Sequence, residues 1–285
     1  MIKDKWIDME LLIRRIIIYI ILAILTVLSL FSFYMLIINS TRPHSQIQQG
    51  FSFFPGKWLL YNVKSVLDNE NIDIVRGLIN SLIVGISSAV LAAYFSALTA
   101  FGIHAYNFKL KKAAFTFILA VMMVPSQVSA AGFMKLIYAM GLRDKLTPLI
   151  VPSIASPIVF YFMIAYMKSN LNVSLIEAAR IDGSSEFSTF NRIVIPIMKP
   201  AIAVQMIFTF VSSWNSYFMP ALLLSSNEKK TIPVLIAQLR AADYQKFDMG
   251  KVYAMILMAI LPVIIIYLLL SRLIVGGVAV GSVKE

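Results

Sequence analysis

Long apolar runs, separated by short polar segments, dominate the pattern of this chain. Six runs, at about 16–38, 79–102, 113–134, 148–167, 199–224 and 252–274, approach the roughly 20 residues that a helix needs to cross a bilayer. None alternates as a barrel strand would, so the pattern predicts an all-α membrane protein with six transmembrane helices. The first run is too long for a signal-peptide core, and no small-x-small cleavage pattern follows it, so it is expected to be a retained anchor. The expected organisation is an N-terminal segment, 1–78, holding the first helix and an outer loop, followed by a five-helix core at 79–285.

Polar positions inside the runs carry the next layer of information. In the fifth run Gln205, Thr209, Ser212 and Ser216 recur at helical spacing, with Asn215 at the edge of the stripe and Trp214 turned away from it. Such a face avoids lipid, and two readings fit: a solute pathway, or hydrogen bonding between helices. The second run places Ser81, Gly85, Ser88, Ala92, Ser96 and Thr99 on one face, a small-residue seam suited to close helix packing. Pro125 in the third run removes a backbone donor beside Gln127, which either satisfies the local break or lines a cavity there. Pro152, Pro157 and Pro262 predict further breaks.

Composition supports the membrane assignment: 59% of residues are hydrophobic and 14% charged, with a mean hydropathy of +0.82. The net charge of +11 fits Lys and Arg flanking membrane spans and meeting anionic lipid, not a nucleic-acid surface. The total Lys/Arg count favours neither orientation. Lys109, Lys111 and Lys112, with Arg14 and Arg15, locally favour both termini inside. Aromatics at Phe51, Phe53, Phe54, Trp58 and Tyr61 suit an interfacial anchor on the outer side, with ligand stacking the alternative. The absence of Cys excludes disulfides and thiolate metal sites, and no Walker-type loop, Gly-x-Ser-x-Gly elbow or deep intramembrane acid occurs. His44 and His104 fall on opposite sides of the predicted membrane. Neither a catalytic centre nor a metal site is expected.

Residues 170–200 form a polar segment between apolar runs. Residues 171–181 predict a short helix with an apolar face at Leu175, Ile176 and Ala179; Asp182-Gly183 predicts a turn. Ser184 or Ser185 would cap a second helix containing Phe187, Phe190 and Ile193, and Pro196 and Pro200 would mark entry to the fifth span. The product is a protruding helix–turn–helix, or else an amphipathic loop lying on lipid.

Glu177-Ala-Ala-x-x-Asp-Gly183, followed by Ile193-x-Ile-Pro196 and Lys199-Pro200, resembles the cytoplasmic EAA loop of permease subunits in bacterial ATP-driven importers. Asn80-Ser81-Leu82, Pro125-Ser126-Gln127, Trp214-Asn215, Thr231-Ile-Pro233 and the tail from Gly276 to Lys284 resemble its carbohydrate-uptake branch, in particular the maltose-type second permease subunit. The resemblance covers most of 75–285. It implies a type I importer permease fold, N-in and C-in, in the bacterial cytoplasmic membrane. It also implies a second, non-identical permease subunit, a dimer of ATPase subunits using ATP and Mg, and an extracytoplasmic solute-binding protein. This chain would hold no cofactor and would form half of a pathway for a sugar or oligosaccharide.

On that resemblance Glu177, Ala178, Ala179, Asp182, Gly183, Phe187 and Pro196 belong to the ATPase-coupling segment. Glu177 would hold the loop by polar contacts, Gly183 would permit the turn and Phe187 would dock. Asn80, Gln127, Gln205, Thr209, Ser212, Asn215 and Ser216 are the pathway candidates. Ser184 stands where Ala is usual, and Ser216 where Asp often follows the Trp-Asn pair. A self-sufficient secondary transporter and a non-transporting scaffold are the alternatives.

Overall fold

The computed structural model describes residues 2–69, 72–241 and 247–281 and is helical throughout. It divides into two compact units.

The first unit comprises residues 1–68 and 240–258. It contains α1 (Ile2–Ser40), α2 (His44–Gln48) and α3 (Leu59–Leu67). From Leu11 to Phe33 the surface of α1 is exposed all round, as expected of an apolar helix whose solvent is lipid. Polar bonds organise the turn after it. Asn62, 1% exposed, donates through Nδ2 to the Ser40 and Arg42 carbonyls at 2.9 and 3.0 Å. Buried Arg42 donates to Asn39 Oδ1 and to the carbonyls of Gln46 and Gly50. These bonds answer backbone carbonyls that the end of α1 leaves without helical partners. The five predicted anchor aromatics are all exposed.

The second unit, residues 69–239 and 259–285, is built around α4 (Ile74–Ala105). Asp73 caps it by accepting the Arg76 N–H at 2.9 Å. Then come α5 (Lys111–Val121), α6 (Ser126–Ala139), α7 (Thr147–Ile150), a 3₁₀ turn (Val151–Ala155), α8 (Pro157–Asn170) and α9 (Val173–Ile181). The chain continues as α10 (Glu186–Thr189), a π turn (Phe190–Val194), α11 (Ile195–Trp214), α12 (Phe218–Leu223) and α13 (Ile232–Arg240). Last is α14 (Met249–Gly281), which starts in the first unit and continues into the second.

The small-residue seam does what close packing requires. Ala92, Ala97 and Ala100 of α4 have no exposed surface, and around them pack Phe160, Met163 and Met167 of α8 with Val194 and Met198. Gly85 lies so near the Phe210 ring that a β-carbon there would fall 2.8 Å from it. The seam runs on to Ala100, not to Thr99, which is exposed and bonds its own helix at Phe95 O.

Three predicted spans need correction. The third is two helices, α5 and α6, separated at residues 122–125, and neither half is long enough to cross a bilayer. Pro125 is extended (φ −62°, ψ 128°); it lacks the N–H to continue α5 and pushes Val124 out of helical conformation. Among the described residues five helices, not six, are long and apolar enough to span. The fourth is kinked through its 3₁₀ turn, where Pro152 and Pro157 interrupt the helical bonding. The fifth begins earlier and ends earlier than its apolar run, as one rod from Glu186 to Trp214. Pro262, expected to break the sixth, sits inside α14 without ending it.

Candidate functional site

Two features of the second unit bear on function: the polar segment after α8, and a cavity beside α4 and α11.

The segment starts at Asn172, whose side-chain oxygen accepts the Ser174 N–H at 3.1 Å and caps α9. One face of α9 is fixed: Ile176 has no exposed surface, Ala179 is buried, and Ile176 belongs to the core with Met167, Leu171 and Phe190. The opposite face, with Leu175, Glu177, Ala178 and Asp182, is exposed. At the end of α9 Gly183 takes φ +78°. Its N–H bonds Arg180 O at 3.0 Å and the Ser184 N–H bonds Ala179 O at 2.9 Å. This pair of bonds is a Schellman closure, which needs a left-handed residue at the Gly183 position. Ser185, not Ser184, caps the next helix by accepting the Ser188 N–H at 3.3 Å.

That second helix is the beginning of the fifth span itself. α10, the π turn and α11 are continuous, and Pro196 lies just inside α11 as the described chain leaves the π turn. A proline cannot bond four residues back and crowds that carbonyl; the wider π turn immediately before it accommodates the lost bond without breaking the rod. Pro196 is thus exposed within a helix, not at a separate entry point.

The tip leaves apolar groups open, Ile181 at 85% and Phe187 at 68% exposure. Across its base Arg180 Nε meets Glu186 Oε1 at 2.6 Å, Nη2 meets Oε2 at 3.3 Å, and the guanidinium lies 5.0 Å over the Tyr106 ring. Burial, then the neighbouring Glu186, raises the Tyr106 phenol above its ordinary pKa, so it stays protonated. The bond from Glu186 holds Arg180 still more firmly charged. Further ties run to α4. His104 Nε2 lies 3.0 Å from the Leu171 carbonyl, which requires the proton on Nε2. Tyr94 OH donates to Asn191 Oδ1 at 3.3 Å, and Asn191 Nδ2 to Phe187 O at 2.8 Å. Phe190, fully buried, contacts the Tyr94 and Phe101 rings. Sequence spacing does not announce Arg180–Glu186–Tyr106, because the turn brings the first two together and α4 supplies the third.

The cavity has a volume of about 690 Å³ and is lined by α4, α5, α6, the 3₁₀ turn, α11 and the loops beyond it. Thr209, Ser212 and Ser216 line it as the polar stripe suggested, but Ser216 lies past the end of α11, so the stripe is not one helical face. Ser81 and Ser88, read as seam residues, line it too. Gln205 is buried and does not line it. Asn80 instead donates to the Glu228 and Lys230 carbonyls at 2.9 and 3.0 Å. Asn215 caps α11 through its N–H to Val211 O, and Gln127 is exposed; neither lines the cavity. The cavity's lining has no charged side chain. Beyond it Asp144, in a left-handed conformation at φ 57°, accepts the Ser225 and Ser226 N–H groups at 2.9 and 3.1 Å. Among the described residues no cluster of His, Asp or Glu could hold a metal.

Apolar spans, a protruding segment anchored on one face and open on the other, and a polar cavity between spans define a transport component of the permease type. Residues 89–276 match the family described as the binding-protein-dependent transport system inner membrane component, and the chain belongs to that family. It is 33% identical over 265 residues to the arabinooligosaccharides transport system permease protein AraQ of Bacillus subtilis (strain 168), covering 91% of this chain and 92% of that relative. It is 30% identical over 267 residues to the lactose transport system permease protein LacG of Rhizobium radiobacter, covering 93% and 95%. A solved chain from a bacterial ABC transporter involved in the import of the acidic polysaccharide alginate shares the fold, with TM-score 0.79, 22% identity and coverage of 91% and 96%. The chain is therefore a multi-pass permease subunit of the cytoplasmic membrane, a transport component rather than an enzyme.

Proposed function

We propose that this subunit forms half of the translocation pathway of an ATP-driven importer for a sugar or oligosaccharide, and that 170–200 is where it receives work. The carrying observation is the division of that segment into a face locked in the core and a tip with Ile181 and Phe187 exposed. The apolar tip offers a partner a desolvated contact. Glu177, Ala178, Asp182 and Gly183 shape the exposed side, Ala179 and Pro196 belong to its two helices, and Phe187 is the docking group. The printed roles of the arabinooligosaccharide and lactose relatives support the substrate class. The partners are a second, non-identical permease, two ATPase subunits that use ATP and Mg, and a solute-binding protein outside; both termini lie inside.

The test reconstitutes the assembled complex in lipid, with ATP within and solute-loaded binding protein without. Hydrolysis should rise on loading, and Phe187→Ala should abolish that rise while binding-protein docking persists. Uptake driven equally well by an ion gradient with a non-hydrolysable ATP analogue would establish a secondary transporter instead.

A further inference from the structure

We propose that the cavity of the second unit is itself a resting site for the solute, that it selects uncharged polyhydroxylated rings, and that Thr231 is its fixed polar contact. This rests on the importer reading above and adds that this subunit touches the cargo.

Thr231 lines the cavity, is 4% exposed, and its Oγ1 has no hydrogen-bond partner. Its backbone is held on both sides by α4: Asn80 donates to the preceding carbonyl of Lys230 at 3.0 Å, and Ser81 Oγ accepts the following Ile232 N–H at 2.9 Å. The residue is thus positioned firmly while its hydroxyl is left unmatched. A buried polar atom without a partner is uncommon in folded proteins and has the most to gain from a polar ligand.

The rest of the lining suits the same ligand. Thr209, Ser212, Ser129 and Ser153 bring hydroxyls, which both donate and accept and so match sugar hydroxyls in either sense. Phe133 and Met219 supply apolar surface for the C–H faces of a ring. The volume of about 690 Å³ lies within the range of small-molecule sites. The lining provides no Lys, Arg or His, so a uronic carboxylate would lose its water without gaining a cation. An acidic cargo such as that of the alginate transporter is therefore disfavoured here.

The natural chain has no Cys, so Ser212→Cys gives a single thiol in the cavity. Lactose, trehalose, an arabinotriose and an alginate trisaccharide are screened with the whole complex in lipid, and the sugar that most stimulates ATP hydrolysis becomes the probe. That sugar should be neutral and should slow labelling of the thiol by an uncharged maleimide. Adding Thr231→Val should raise the half-protecting concentration about five- to tenfold, and Thr231→Ser should restore it. Unchanged labelling rates without sugar confirm that the variants keep the cavity. A neutral sugar that stimulates hydrolysis without slowing labelling, an unchanged half-protecting concentration in Thr231→Val, or preference for the acidic trisaccharide overturns the cavity assignment and leaves the importer reading standing. Stimulation by no sugar overturns both.

Discussion

Replacing Gly183 isolates a purely conformational perturbation at the coupling tip. Its φ of +78° is left-handed, and a β-carbon built there meets no heavy atom within 4 Å. A substitution therefore creates no steric overlap with the rest of the protein; the cost lies in the backbone. For an ordinary L-residue that cost is about 1–2 kcal/mol, less for Asn and more for a β-branched side chain. About 1–2 kcal/mol changes the population of the closed turn by a factor of roughly 5–30. The bundle should tolerate this, because Ile176 and Phe190, both fully buried, anchor the segment independently of the turn. Binding of the purified ATPase to reconstituted permease should weaken in the order Gly, Asn, Ala, Val, with Val about 5–30-fold weaker, while membrane insertion and thermal midpoint stay near wild type. Two results would refute the reasoning. Equal affinity for Gly183→Val would mean that the Schellman geometry is not what the partner reads. Equal losses for Asn, Ala and Val would mean that bulk, not backbone conformation, is the cause.

Three further outcomes follow from other contacts. Arg180→Met and Glu186→Gln should each cut solute-stimulated ATPase activity about two- to fivefold, as a partly exposed ion pair worth up to about 1 kcal/mol would; a double variant worse than the sum would show that the residues act separately. Gly85→Ala drives a methyl to 2.8 Å from the Phe210 ring, and Phe210 is 1% exposed, so overpacking should cost about 1–3 kcal/mol as a lower thermal midpoint, relieved by Phe210→Leu. Burial raises the Asp144 carboxyl, but the Ser226 hydroxyl, the Ser225 and Ser226 N–H groups and nearby Lys229 outweigh it and hold it below 3.8. A depressed carboxylate pKa stabilises the fold above the unfolded value and loses that contribution as pH falls through the folded one. Amide exchange at Ser225 and Ser226 should therefore speed up below about pH 3.8, and Asp144→Asn should lack the step.

Much of this was legible in the chain because a bilayer enforces it. A backbone in hydrocarbon must satisfy its own hydrogen bonds, so the runs at 16–38, 79–102 and 252–274 could only be α1, α4 and α14. The coupling segment was legible because Asp182-Gly183 and a capping serine constrain backbone conformation locally. The third and fifth spans were not, since hydropathy counts apolar residues without asking whether Pro125 can follow Val124 in a helix, or whether a π turn can carry Pro196. Ser81 and Ser88 were read for packing alone because small size serves a seam and a cavity wall equally. Ser216 fitted a helical stripe only while α11 was taken to run past Trp214. Asp144 and Arg180 gave no signal, as their partners lie across loops.

The same two helices serve both ends of the proposed cycle. α4 contributes Tyr94, Phe101 and His104 to the grip on the coupling segment, and Ser81 and Ser88 to the cavity. The rod from Glu186 to Trp214 starts beside the docking residue Phe187 and carries Thr209 and Ser212 in the cavity wall. At 1.5 Å per residue it is about 40 Å long. Packed interiors are stiff, so a displacement imposed at Phe187 is delivered along that rod, except where the π turn lets it bend. Coupling is then a free energy shared between the tip and the cavity, and it must be reciprocal. Solute in the cavity should tighten or loosen ATPase binding by the same factor as ATPase binding changes solute affinity. Measuring both factors on one reconstituted complex decides the matter: unequal factors would mean that the two ends are not parts of one equilibrium.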